Sequence, residues 1–188
     1  MNMFSYVITH DSGFAPNPFQ GFLTLATCKP LVRKTAKVGD VLVGTGSAST
    51  VGNTRLVYAG VISEVVSLEE YGTDPRFSSK RPVVKGEWFN RHGDNIYEST
   101  EDGWKQRRNP LHVAHDAERD LSGVNVLICE EFWYFGGDAV EIPPQLLGIL
   151  KKGPGHKRIE DQNLVQESLQ WLRGHEQGVN GRPQMETD

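Results

Sequence analysis

The chain has 188 residues, enough for one domain with a full hydrophobic core, and its 37% hydrophobic and 23% charged residues are ordinary soluble composition. No apolar run approaches the roughly 18 residues that span a membrane, no N-terminal leader pattern is visible, and the two cysteines form no CxxC or zinc-spaced cluster. The net charge is −4, with ten Lys/Arg against nine Asp/Glu in residues 1–100 and ten against fifteen in residues 101–188, and the local basic clusters fit a localised phosphate-binding face better than general electrostatic adhesion to nucleic acid.

In chain order, Met3–Thr9 alternates as a central strand. Pro16 and Pro18 force a loop through Phe19, and Phe22–Thr27 is a short extended run. Pro30–Ala36 suits one or two helical turns, with Arg33, Lys34 and Lys37 on the exposed side. Gly39-Asp40 turns into a buried strand Val41–Gly44, and Arg55–Val66 reads as the longest strand. Ser67 with Glu70 has capping-box spacing and opens a short helix. Residues 74–88 read as an ordered loop, Asn95–Glu98 as a short strand, and Trp104–Asp120 as a loop with one helical turn. Val124–Phe135 is a second strong strand region, Ala139–Ile142 a strand remnant, and Gln145–Leu150 a short helix. Residues 160–173 form an amphipathic helix on Leu164, Val165, Leu169 and Leu172, which Gly174 stops. The expectation is an α+β fold: a single compact domain over 1–174, built on a curved, mostly antiparallel sheet or small barrel, with a C-terminal amphipathic helix and a disordered polar tail over 175–188.

Two resemblances bear on this. The order Gly39-Asp40, strand, polar turn, long strand, then Tyr71 and Asp74-Pro75-Arg76-Phe77 resembles the small-barrel superfamily of PUA, ASCH and EVE domains, whose members bind RNA or modified bases. A longer resemblance runs through Thr9–Phe19, Gly21–Pro30, Arg33, Val38–Ser47, Leu56–Ala59, Tyr71, Asp74–Phe77, Gly93–Tyr97, Tyr134–Gly136 and Gly153–Lys157. On these strings the chain is similar to the nucleotide modification associated domain family of type two, found in bacteria and their phages; His10 and Glu98 depart from its commoner pattern. A reducing cytoplasm is the default expectation from the cysteines and the N-terminal composition, and the resemblance implies a role in a system that alters bases or nucleotides, working with the other components of that system. It names no reaction.

The residues themselves leave binder and enzyme open. Cys28 precedes Lys29 and lies near Arg33, cations that favour a thiolate; His10, His92, His112, His115 and His156 are candidate bases and Asp11 a candidate orienter. The other reading of Cys28 is a small buried hydrophobe, as for Cys129. Asn17, Thr24, Thr27, Thr45, Ser47 and Asp74 supply donors and acceptors for a base edge, and Phe14, Phe19, Tyr71 and Tyr97 supply stacking faces. Alternatively Asn17 holds its own loop. Lys29, Arg33, Arg76, His156 and Lys157 are the expected phosphate contacts, the last two in a basic Gly-rich stretch that is not a P-loop. A pair of Asp11 and Asp74 around Mg²⁺ lacks supporting spacing, so neither metal nor cofactor is expected. The expected ligand is a nucleotide, a modified base or single-stranded nucleic acid, held under the Gly13–Phe19 loop; the oligomeric state is not readable. The alternative is an enzyme that transfers or removes a group on a nucleotide through Cys28 and a His/Asp partner.

Overall fold

The computed structural model describes residues 1–185. Along the chain lie β1 (Met3–Val7), β2 (Leu23–Leu25), α1 (Pro30–Thr35), β3 (Val41–Thr45), β4 (Arg55–Val61), β5 (Glu64–Ser67), α2 (Leu68–Thr73), α3 (Trp88–Arg91), β6 (Tyr97–Thr100) and β7 (Gly103–Gln106). They are followed by α4 (Ala117–Leu121), β8 (Asn125–Cys129), β9 (Glu131–Tyr134), β10 (Val140–Glu141), β11 (His156–Ile159), α5 (Gln162–Leu172) and β12 (Gly178–Val179).

The main sheet runs β11-β1-β3-β4-β9-β12, with β10 added on β4. A second sheet is β2-β8-β5, and β6 and β7 form a separate hairpin. β1 and β3 are almost continuously buried, as a strand covered on both faces must be. Phe4, Tyr6, Leu42 and Val57 point to the layer that holds Leu25 and Leu127 of the second sheet. Met3, Val41, Leu56, Ala59 and Trp133 point the other way, onto Val165, Leu169 and Leu172 of α5. The helix thus covers one face and the small sheet the other. Asp161 starts α5 by accepting from the backbone N–H groups of Asn163 and Leu164 at 3.0 and 3.3 Å. Ser67 and Glu70 complete the capping box of α2.

Four expectations are corrected. The strands pair mostly antiparallel as expected, with β1–β3 and β9–β12 parallel, but the main sheet ends on β11 and β12 without closing into the small barrel. The strand read over 55–66 changes sheets: Ile62 N still donates to Asp40 O at 2.9 Å, whereas Ser63 N donates to Ile128 O at 2.8 Å. The run 124–135 divides in the same way, β8 pairing with β2 and β5 and β9 with β4. Apolar patterning cannot register such a change of partner, because both halves remain buried. Finally, the polar segment after 174 is docked to residue 185: β12 pairs with β9, Gly137 N donates to Arg182 O, and Met185 N donates to Asp11 O. Backbone hydrogen bonds hold this stretch, so its polar side chains gave no sign of it. Residues 186–188 of the expected tail lie outside the described residues.

Candidate active site

Cys28 stands at a sharp turn between a strand and a helix. β2 ends at Leu25 and α1 begins at Pro30, and between them Cys28 and Lys29 have φ of 56° and 40°. Two successive non-glycine residues in the left-handed region cost about 1–2 kcal/mol each, a conformation kept only where the surroundings over-determine it. One restraint is visible: Cys28 N donates to Asp120 Oδ1 at 2.8 Å. A side chain carried on a strained strand-to-helix turn is thrust away from the backbone, as nucleophiles on such elbows are.

The Cys28 thiol meets a histidine there. Sγ lies 3.6 Å from His112 Nε2, and His112 Nδ1 lies 2.5 Å from Asp120 Oδ2. The Phe14 ring packs edge-on against the imidazole, centroids 4.7 Å apart, and holds its tilt. Asp120 is fully buried and anchored from several directions: the Tyr97 hydroxyl donates to Oδ2 at 3.0 Å, and the Arg33 guanidinium donates to the Asp120 main-chain oxygen and to Ala26 O. Burial works to lower the His112 pKa, but the hydrogen bonds to Asp120 and Cys28 prevail and raise it to about 9. Burial likewise opposes ionisation of Asp120, and His112, the Cys28 amide and Tyr97 together hold its carboxyl below the usual range. With Nδ1 bound to the carboxylate, Nε2 is the nitrogen that faces sulfur. A thiol, an imidazole and a buried carboxylate in this order can move a proton off sulfur and return it.

The three ligand atoms lie within 4.8 Å of one another, close enough to share a metal ion. The carboxylate argues for the proton relay. Its Oδ1 already accepts from Cys28 N, and its Oδ2 from Tyr97 and His112, so it orients neighbours rather than facing a cation.

Cys28 opens onto a cavity of about 400 Å³, within the size range of small-ligand sites. Ile8 and Ala15 give it apolar wall, and Lys29, Arg119, Thr9 and His10 give it polar wall. Lys29 Nζ sits 4.5 Å from the centroid of the Tyr6 ring, and burial pushes its pKa down. Arg119 is held by Asp116 at 2.9 Å.

Several residues read as site residues lie elsewhere. His10 lines the cavity, but its Nδ1 pairs with Thr9 Oγ1 at 3.1 Å. Asp11 is buried away from the histidine, where Oδ1 accepts from the Tyr134 hydroxyl at 2.7 Å and burial raises its pKa. Asn17 is a buried hub: Nδ2 donates to Gly13 O and His92 O, and Oδ1 accepts from Lys80 Nζ at 2.8 Å. Thr24 donates to Asp94 Oδ2 at 2.7 Å and the Tyr71 hydroxyl to Asp94 Oδ1 at 2.6 Å, both inside the core. Thr27 is fully buried, and Thr45 Oγ1 is turned to Tyr6 O at 3.4 Å. Phe14 and Tyr97 belong to the setting of His112 and Asp120, whereas Phe19 packs on Trp88 and Phe89. Arg76 pairs with both Asp74 and Glu64 on a different surface. Arg33, expected on the exposed face of α1, is buried; burial lowers its pKa to about 10 and its charge is spent on main-chain carbonyls. Ser47, His156 and Lys157 line a second, larger groove.

His112 was one of five candidate bases in the sequence, and Asp120 carried no motif. The signal that could have found Asp120 is weak: an acidic residue eight positions after a histidine, just before the Ser122-Gly123 turn.

Residues 1–188 match the model of the family described as nucleotide modification associated domain 2. No curated protein and no solved structure matches the chain.

Proposed function

Because the chain belongs to the nucleotide modification associated domain 2 family, we propose that it is an enzyme of a nucleotide modification system that transfers or removes a group on a nucleotide, with Cys28 as nucleophile, His112 as proton carrier and Asp120 as orienter. The observation that carries this reading is the imidazole set between Sγ at 3.6 Å and a buried carboxylate at 2.5 Å.

In the proposed cycle the base seats against Ile8 and Ala15, with phosphate beside Lys29 and Arg119. With the proton of the pair already on His112 Nε2, Sγ forms a C–S bond to a carbonyl carbon on the group that the base carries, and the carbonyl π pair moves onto oxygen. When that pair returns, the bond to the leaving nitrogen or oxygen breaks, and His112 passes its proton to the leaving group. Water or an amine then attacks the thioester carbon, gives a proton back through His112 to sulfur, and frees Cys28. No electrons leave the system.

The test is turnover of nucleotides that bear acyl or amide groups on the base, read by mass spectrometry. Cys28→Ala and His112→Ala are each expected to lose about 10²–10⁴-fold in rate, Cys28→Ala with its melting temperature nearly unchanged. Full activity in Cys28→Ala overturns the thiol mechanism. Activity that vanishes with a chelator and returns with Zn²⁺ assigns the cluster to a metal instead.

A further inference from the structure

The larger groove beside β11 is not used by the chemistry just described. It has a volume of about 990 Å³, near the upper end for small-ligand sites, and shares Val7 with the Cys28 cavity. β1 and β11 join the two: Tyr6, whose ring carries Lys29, is directly opposite His156 in the sheet register. The groove is lined by Lys151, Lys152, Lys157 and His156, and by no carboxylate among the described residues. Lys151 and Lys157 bond neutral main-chain oxygens, of Lys152 and Gly148, and among the described residues no ion pair cancels their charges. The positive field also reaches His156, whose pKa falls through burial and through the charges of Lys29 and Lys151. Gly153 and Gly155 hold φ of 74° and 85°, and a Cβ built on either meets nothing within 4 Å, so the loop backbone there lies open to a ligand. Leu147 and Leu150 supply an apolar floor.

We propose that this groove carries the phosphodiester backbone of a single-stranded polynucleotide whose target base enters the Cys28 cavity. The inference rests on the nucleotide reading of that cavity and names its substrate class as polymer rather than free nucleotide. A free nucleotide would fill the cavity of about 400 Å³ and leave three lysines and a groove more than twice as large without a role. A base in duplex is shielded by its stack, so a thiol in the wall of a cavity reaches it only when it is single-stranded or extruded.

The test is fluorescence anisotropy of short labelled DNA and RNA strands with full-length Cys28→Ala, over a salt series. Three lysine–phosphate contacts give a slope of about −2 in log K against log salt, which is about a 20-fold loss of affinity between ~50 and ~200 mM. Lys152→Gln and Lys157→Gln are each expected to reduce the slope by about 0.7. A preference for DNA over RNA, or the reverse, supports the proposal and identifies the polymer. Absence of strand binding, slopes unmoved by the lysine changes, tighter binding of duplex, or binding of anionic lipid vesicles in place of strands each overturns it. Binding does not require turnover. Strand binding by a protein whose activity survives Cys28→Ala would refute the thiol chemistry alone, whereas turnover of free nucleotides with no strand binding would refute the groove alone.

Discussion

His112 Nδ1 lies 2.5 Å from Asp120 Oδ2, and this contact determines which face of the imidazole is offered to Cys28. Asp120→Asn keeps the shape but has one acceptor oxygen where the carboxylate has two. Its single oxygen cannot take both the Cys28 N and the His112 Nδ1 positions, so the ring loses its charged, orienting partner. Turnover is expected to fall about 10³–10⁴-fold. Alkylation of Cys28 by iodoacetamide, mapped by mass spectrometry, is expected to slow with it; an unchanged alkylation rate would separate Asp120 from the relay.

The same pair predicts a pH dependence of stability. His112 is raised from 6.5 to about 9, so its protonated form is favoured in the folded chain. That contribution is fully present below about pH 6.5 and is lost as pH rises through about 9. Asp120 is lowered, so its contribution is present above the ordinary value of 3.8 and is lost as pH falls through its folded value. The groups that face the ring are Cys28, Asp120 and, 3.7 Å from Asp120, Arg119. The melting-temperature gap between wild type and His112→Gln is therefore expected to be widest near pH 6 and to close above about pH 9. A gap of constant size across that range contradicts the assignment.

Asn17 links the first loop to Lys80. The buried ammonium donates to Asn17 Oδ1 at 2.8 Å, to Asn17 O at 3.0 Å and to Phe22 O at 2.6 Å. Burial pushes the Lys80 pKa down to about 7, so each acceptor is needed to keep the charge. Asn17→Ala removes one acceptor and strips Gly13 O and His92 O of their donor. The expected cost is about 3 kcal/mol in a urea melt; a loss under about 0.5 kcal/mol would mean that the side chain belongs to a ligand instead.

Gly123 is packed against Arg33. A Cβ at that position would collide with the guanidinium that holds the Asp120 main-chain oxygen. Gly123→Ala is expected to destabilise by about 1–3 kcal/mol and to displace Asp120. Activity should then fall further than the loss of folded protein explains, which circular dichroism and turnover measured on one sample would show. Parallel losses would confine Gly123 to packing.

Much of the local structure was legible. Apolar runs marked β1, β3 and β8, Ser67 with Glu70 marked the start of α2, and the period of Leu164, Val165, Leu169 and Leu172 marked α5. What escaped was the change of sheet at Ile62–Ser63 and between β8 and β9, and the docking of residues 175–185, because these depend on backbone partners that side-chain patterning does not specify. At the site, Cys28 stood out through its neighbours. Asp11 and Asn17 stood out too, but the same polarity that suggested a ligand is consumed by Tyr134, Lys80 and backbone carbonyls.

The sequence alone determined that Cys28 sits where an extended run gives way to a Pro-started helix, since Leu23–Leu25 and Pro30 impose that locally. Only the tertiary structure decided its partners. His112 and Asp120 reach it across 84 and 92 residues, from a loop and a short helix packed beside α1. The cost of closing such long loops grows only slowly with length, so no local spacing has to announce the pairing. Packing around Phe14, Arg33 and Tyr97 selects it.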